Sequence, residues 1–266
     1  MKNYCFLLGM IITLIGCHSE PSGQVDSQAI APQNAKGKIL FIVSNAQYYG
    51  QSKISTANHF AEIVLPYDVL IQAGYEVDFV SPEGGAIPLG YLNTSDSIVK
   101  QYLYDAAFMD LLEHTKPPSA IKAADYQAVY YGGGGSAMFG VPENESIQKI
   151  AMEVYEEQNG IISAVCHGTA GIVHLKTKEG KYLVAGKSVN GFPDLFENKT
   201  KAYYREFPFS IEQIIRERGG NFQYSENGWD GFFQVDGHLI TGQDPTAAAS
   251  VAQQMVEVLK KRGLKT

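Results

Sequence analysis

The segment Ile161 to Val165 is apolar apart from one serine and runs without interruption into Cys166-His167-Gly168. A stretch free of charge suits a strand covered on both faces, and such strands belong to parallel sheets sandwiched between helices. Further strands are expected at Lys38 to Ser44, Glu76 to Val80 and Ala128 to Tyr131. Between them, Phe60 to Gln72 carries apolar residues at helical spacing ahead of Gly74, and Ile147, Ile150, Ala151, Val154 and Tyr155 form the inner stripe of another helix. Helices over Ser210 to Arg218 and Pro245 to Lys261 surround short strands at Asn221 to Tyr224, Phe232 to Asp236 and Leu239 to Thr241. This alternation predicts an α/β fold: a mostly parallel sheet with helices on both faces, right-handed crossovers, and ligands held at the carboxyl ends of the strands.

At 266 residues, 45% of them apolar, the chain can bury one substantial core. A formal charge of −7 with scattered basic residues lacks the footprint of a nucleic-acid binder and favours a small, weakly charged ligand. The N-terminal stretch reads differently from the rest. Lys2 supplies a positive start, and Phe6 to Ile15 an apolar run too short to span a bilayer but suited to the core of a signal peptide. It ends in Leu14-Ile15-Gly16-Cys17, which resembles a bacterial lipobox with Cys17 as the lipidated residue. Residues 1–16 are therefore expected to be a lipoprotein signal peptide, 17–37 a lipidated flexible tether, and 38–266 the folded domain. The expected location is the bacterial cell envelope, on a lipid anchor outside the cytoplasm. His18 stands where an inner-membrane retention signal carries aspartate, which points to the periplasmic side of the outer membrane in a Gram-negative cell. With Cys5 and Cys17 in this leader, a single thiol remains for the domain and no disulfide framework is available.

That thiol, Cys166, lies where a strand turns into a helix expected to begin near Thr169. Free N–H groups and the helix dipole at such a turn favour thiolate over thiol. His167 is placed to act as base or proton carrier, and its backbone N–H points to where an oxyanion forms. Gly168 leaves room for a substrate. A lone cysteine more often packs as a small apolar residue. Here the run Gly132-Gly133-Gly134-Gly135, closing another strand, marks a functional turn and favours chemistry.

These segments, together with Glu62 in Phe60-Ala61-Glu62, Ser81-Pro82-Glu83-Gly84-Gly85, Pro208-Phe209 and Ile240-Thr241-Gly242-Gln243-Asp244-Pro245, make the domain resemble the ThiJ/PfpI superfamily. More narrowly, it resembles the branch of heat-shock-type glyoxalases and chaperones, often labelled class I glutamine amidotransferase-like. The resemblance implies a flavodoxin-like three-layer sandwich with a nucleophile elbow. It implies that Cys166 and His167 are catalytic, that Glu62 contacts the thiol, and that Gly133 and Gly134 help form the oxyanion pocket. In such proteins a further acid orients the histidine; Asp194 and Glu197 are the candidates, with Glu197 favoured by register. Two departures stand out: Phe196 breaks a usual pair of glutamates, and Gly135 stands where relatives commonly carry histidine.

Read without the resemblance, an ordinary surface carboxylate is the lesser alternative for Glu62, as is a helix-start residue for the acid near 194–197. His59 and His114 lack close ligand spacing with Glu62, so no metal site is expected, and the reaction that the resemblance implies needs no cofactor. His174, His238, Trp229 and the pair Tyr203-Tyr204 read as packing or hairpin residues, although aromatic side chains are able to line an entrance. The leading functional expectation is a glyoxalase III-like conversion of a small reactive carbonyl, a 2-oxoaldehyde, to a 2-hydroxy acid through a hemithioacetal on Cys166. Amide or peptide hydrolysis ranks lower, because the late His-x-Glu segment of the amidotransferases is replaced by Gly242-Gln243-Asp244-Pro245. A non-catalytic stress chaperone or redox sensor is the alternative from another class. Relatives often pair, which admits a homodimer.

Overall fold

A computed structural model describes residues 35–263. The signal segment, Cys17 and nearly all of the tether lie outside the described residues. Within them no helix is long and apolar enough to cross a membrane. In chain order the strands are β1 (Lys38–Ile42), β2 (Asn58–His59), β3 (Glu76–Val80), β4 (Leu89–Gly90), β5 (Tyr126–Tyr131), β6 (Ile161–Val165), β7 (Ser188–Val189), β8 (Asn221–Phe222), β9 (Phe233–Asp236) and β10 (Leu239–Gly242). The α-helices are α1 (Phe60–Gln72), α2 (Ser97–Leu103), α3 (Ala106–Glu113), α4 (Glu145–Glu156), α5 (Ile211–Glu217) and α6 (Ala248–Gly263).

The central sheet has the order β3-β1-β5-β6-β10-β9 and is parallel except where β9 pairs antiparallel with β10. Ile39 and Phe41 of β1 face one layer, meeting Phe60, Ile63 and Leu70 of α1 and Val251 and Met255 of α6. Leu40 and Ile42 face the other, meeting Ile147, Ile150 and Val154 of α4 and Ile215 of α5. Coverage on both sides is why the inner strands carry no apolar/polar alternation, and each such large side chain contributes roughly 1.5–3 kcal/mol by leaving water. This is the flavodoxin-like three-layer sandwich. The folded part takes in Lys36, ahead of the expected start at Lys38: its backbone N–H donates to the Gly74 carbonyl at 2.9 Å.

Two features differ from the sequence expectation. Helices α2 and α3 are additional to it; Asp96 and Asp105 cap them, each accepting two backbone N–H groups, and Val99, Tyr102, Phe108 and Leu112 join the α1 side of the core. More consequentially, no α-helix begins at Thr169. A 3-10 turn, Cys166–Ile172, starts at the cysteine itself. The backbone there is pressed onto the end of β5, so closely that a Cβ at Gly168 would meet the Tyr131 carbonyl oxygen at 2.4 Å. A short 3-10 turn carries a weaker dipole than the expected helix and lends less support to a thiolate.

Candidate active site

Cys166 adopts φ +58°, a left-handed conformation that is uncommon for any residue with a Cβ. The bend is the nucleophile elbow: β6 delivers the chain to the carboxyl edge of the sheet, and the sharp turn aims Sγ into a cavity of about 360 Å³. A larger hollow of about 820 Å³ lies at the opposite edge, lined by residues such as Lys36, Gln127 and Arg262, and holds no nucleophile. The chemistry therefore belongs to the smaller pocket.

Glu62 approaches the sulfur from α1. Its position depends on Pro66, which has no N–H to donate to the Glu62 carbonyl four residues earlier; the Tyr130 hydroxyl donates to that carbonyl instead, at 2.8 Å. Glu62 is fully buried, and Oε2 accepts the Gly133 N–H at 3.0 Å. A Cβ at Gly133 would fall 2.4 Å from that oxygen, so only glycine lets the carboxyl sit here. Burial pushes the Glu62 carboxyl up to about 8, opposed by hydrogen bonds from Cys166 and Gly133. At neutral pH Glu62 is a neutral acid beside the thiol, and its Oε1 has no hydrogen-bond partner among the described residues.

His167 stands on the other side, with Nδ1 at 3.5 Å from Sγ and Nε2 at 2.8 Å from Glu197 Oε1. The carboxylate assigns the ring proton to Nε2, leaving the Nδ1 lone pair toward the sulfur. Phe192 stacks on the imidazole at 4.7 Å and fixes its plane. Asp194, the other candidate for this role, does not reach His167. Its carboxylate accepts from Ser210 Oγ at 2.6 Å and pairs with Lys199 at 2.9 Å, tying the loop to the start of α5.

Burial pushes the Cys166 thiol up, against the pull of the His167 and Gly134 N–H groups. This corrects the expectation of a resting thiolate: the sulfur rests as a thiol, with His167 Nδ1 at 3.5 Å. The oxyanion assignments divide as well. The Gly133 N–H is committed to Glu62, whereas the Gly134 and His167 N–H groups face the sulfur and are the available donors. Gly168 makes room for the Tyr131 and Gly132 backbone rather than for a substrate. At Gly135 the side-chain space is already filled: a Cβ would lie 2.3 Å from the Tyr49 hydroxyl.

His59 lines the pocket wall, stacked on Tyr91 at 4.7 Å, with Nδ1 at 3.8 Å from Glu62 Oε1. Burial and the neighbouring His167 pull it down to about 4, so it is neutral. His114 pairs instead with Asp110 on exposed α3. Sequence reasoning missed the parts of the wall contributed by Tyr49, Tyr91 and Phe207, and gave no site role to His59, Tyr203 or Trp229. No local pattern marks these residues, because loops distant in sequence bring them together. Gln243 and Asp244 are buried and hold Ser225, Trp229 and Thr246 in place, so the late segment supplies no amidotransferase-like base.

A buried acid, a cysteine on an elbow and a histidine steadied by a carboxylate define a cysteine-dependent enzyme on an α/β sandwich. Residues 55–258 match the DJ-1/PfpI family, and the chain belongs to it. A glutathione-independent glyoxalase of Schizosaccharomyces pombe is 33% identical over 85% of this chain and 99% of its own length. The crystal structure of glyoxalase III from Candida albicans superposes with a TM-score of 0.76 at 26% identity, covering 84% of this chain and 97% of that one. The rapid encystment protein of Francisella tularensis superposes at 0.78, also with 26% identity, over 84% and 99% of the two chains.

Proposed function

We propose that the protein is a cofactor-independent, glyoxalase III-like enzyme that converts a 2-oxoaldehyde and water to a 2-hydroxy acid. One observation carries this reading: a single sulfur lies between a histidine base at 3.5 Å and a buried acid that keeps its proton up to about pH 8. His167 takes the thiol proton as sulfur adds to the aldehyde carbon, and returns it to the new oxyanion, giving a hemithioacetal. Neutral again, His167 removes the hydrogen on that carbon while Glu62 gives its proton to the adjacent ketone oxygen, forming an enediol. Return of the proton to the second carbon and of the hydroxyl proton to Glu62 yields a 2-hydroxyacyl thioester. Water releases the acid and restores the thiol. The two carbons exchange oxidation states internally, so no outside oxidant or reductant enters.

Methylglyoxal supplied without glutathione should yield lactate, and Cys166→Ala should lower the rate by at least about 10³-fold, leaving it near background. Wild type inert toward methylglyoxal and glyoxal would overturn the assignment. The site's place in the cell is a separate proposal resting on the leader sequence: Cys17 carries the lipid that holds the domain to the envelope membrane. Metabolic labelling with an alkynyl fatty acid should mark the wild type and not Cys17→Ser, which should fractionate as free protein.

A further inference from the structure

Among the described residues, four that are not glycine adopt left-handed φ: Tyr91 at +57°, Asn159 at +50°, Cys166 at +58° and Trp229 at +47°. Three of them line the active-site cavity. For Cys166 the strain serves the elbow. Tyr91 and Trp229 have no such reason, and burial does not compensate them, since they remain 51% and 56% exposed. A bulky side chain in this region is strained and persists only where its surroundings hold it. Trp229 is held by its backbone N–H, which donates to buried Asp244 at 2.8 Å. The preceding Gly228, at φ +63°, lets the Phe196 ring come to 2.7 Å from where its Cβ would stand.

The rings so placed form a continuous path. Trp229 packs on Phe196 at 5.1 Å and on Phe192 at 6.3 Å, and Phe192 stacks on His167. Across the mouth, Tyr91 stacks on neutral His59. Glu197, already engaged by His167, is the only Asp, Glu, Lys or Arg in the lining, so a carboxylate or phosphate on the substrate would find no cation. A cavity of about 360 Å³ falls within the range of small-molecule sites and is larger than a ligand as small as methylglyoxal needs. Resting on the glyoxalase reading, we propose that Tyr91, Phe196 and Trp229 form an aromatic rim that selects neutral 2-oxoaldehydes bearing an aromatic or bulky apolar group.

The test compares kcat/KM for phenylglyoxal and methylglyoxal. Wild type should prefer phenylglyoxal by about tenfold or more, and Trp229→Ala and Tyr91→Ala should each bring the ratio toward one. Methylglyoxal turnover with no aryl preference, or a ratio unmoved in both variants, would overturn the rim and leave the glyoxalase assignment standing. Trp229 is the only tryptophan in the chain, so its fluorescence reports on the rim independently of catalysis. In Cys166→Ala protein, 1-phenylpropane-1,2-dione should quench it saturably at concentrations where butane-2,3-dione does not. Absence of that quenching would refute the rim whatever the turnover results.

Discussion

The two sides of Cys166 carry the same residue type in different surroundings. Glu62 rises from regular structure, the first turn of α1, and is sealed in the core, where it stays protonated near neutral pH. Glu197 comes from the irregular segment between β7 and α5 and accepts a hydrogen bond from His167 Nε2 at the pocket wall. Environment alone sets the two glutamates apart: burial holds one neutral, and the other is hydrogen-bonded to an imidazole. The acid side is fully buried, whereas the His167 and Glu197 side chains keep 13% and 7% exposure.

Exchanging each acid for its amide should separate the sides most sharply. Glu62→Gln retains shape but cannot release a proton, and should lower kcat by about 10³-fold. Glu197→Gln lets Nε2 lose its acceptor and the ring proton move to Nδ1, facing the thiol, and should cost about 10²-fold. Wild-type activity should fall as pH rises through about 8, where Glu62 loses its proton. Glu197→Gln should keep that limb and Glu62→Gln should lack it; an identical limb in both variants would break the comparison.

Next in size is a stability effect. The folded-state value of about 8 lies above the ordinary 4.5, so between those pH values the folded protein holds a proton that the unfolded chain has released. Stability should therefore decline as pH climbs from 4.5 to 8 and level off above. Urea melts across this range should show a loss on the order of 3–5 kcal/mol in wild type that is absent from Glu62→Gln. The smallest effect is expected at Asp194. Asp194→Asn should leave turnover within about twofold and destabilise by roughly 1 kcal/mol, through weakened contacts to Ser210 and Lys199.

Much of the acid side is legible in the chain's own pattern. The bounds of α1, β3 and β6 follow from apolar runs, helical spacing and the residues that end them, and glycines at strand ends mark the residues after β5 and β6. The capping residues Asp96 and Asp105 are readable signals for α2 and α3 that the apolar pattern obscures. The base side is less legible. Asp194 and Glu197 differ by three positions in a segment without period, and nothing local says which carboxylate turns inward.

Which segments form strands and helices, and where the elbow falls between them, are consequences of burial pattern and backbone sterics along the chain, and the sequence by itself determined them. Which groups hold protons, which N–H is already committed, and which rings form the mouth depend on distances between segments far apart along the chain. Only the tertiary structure decided those, because desolvation and Coulomb forces act through space and leave no period in the sequence.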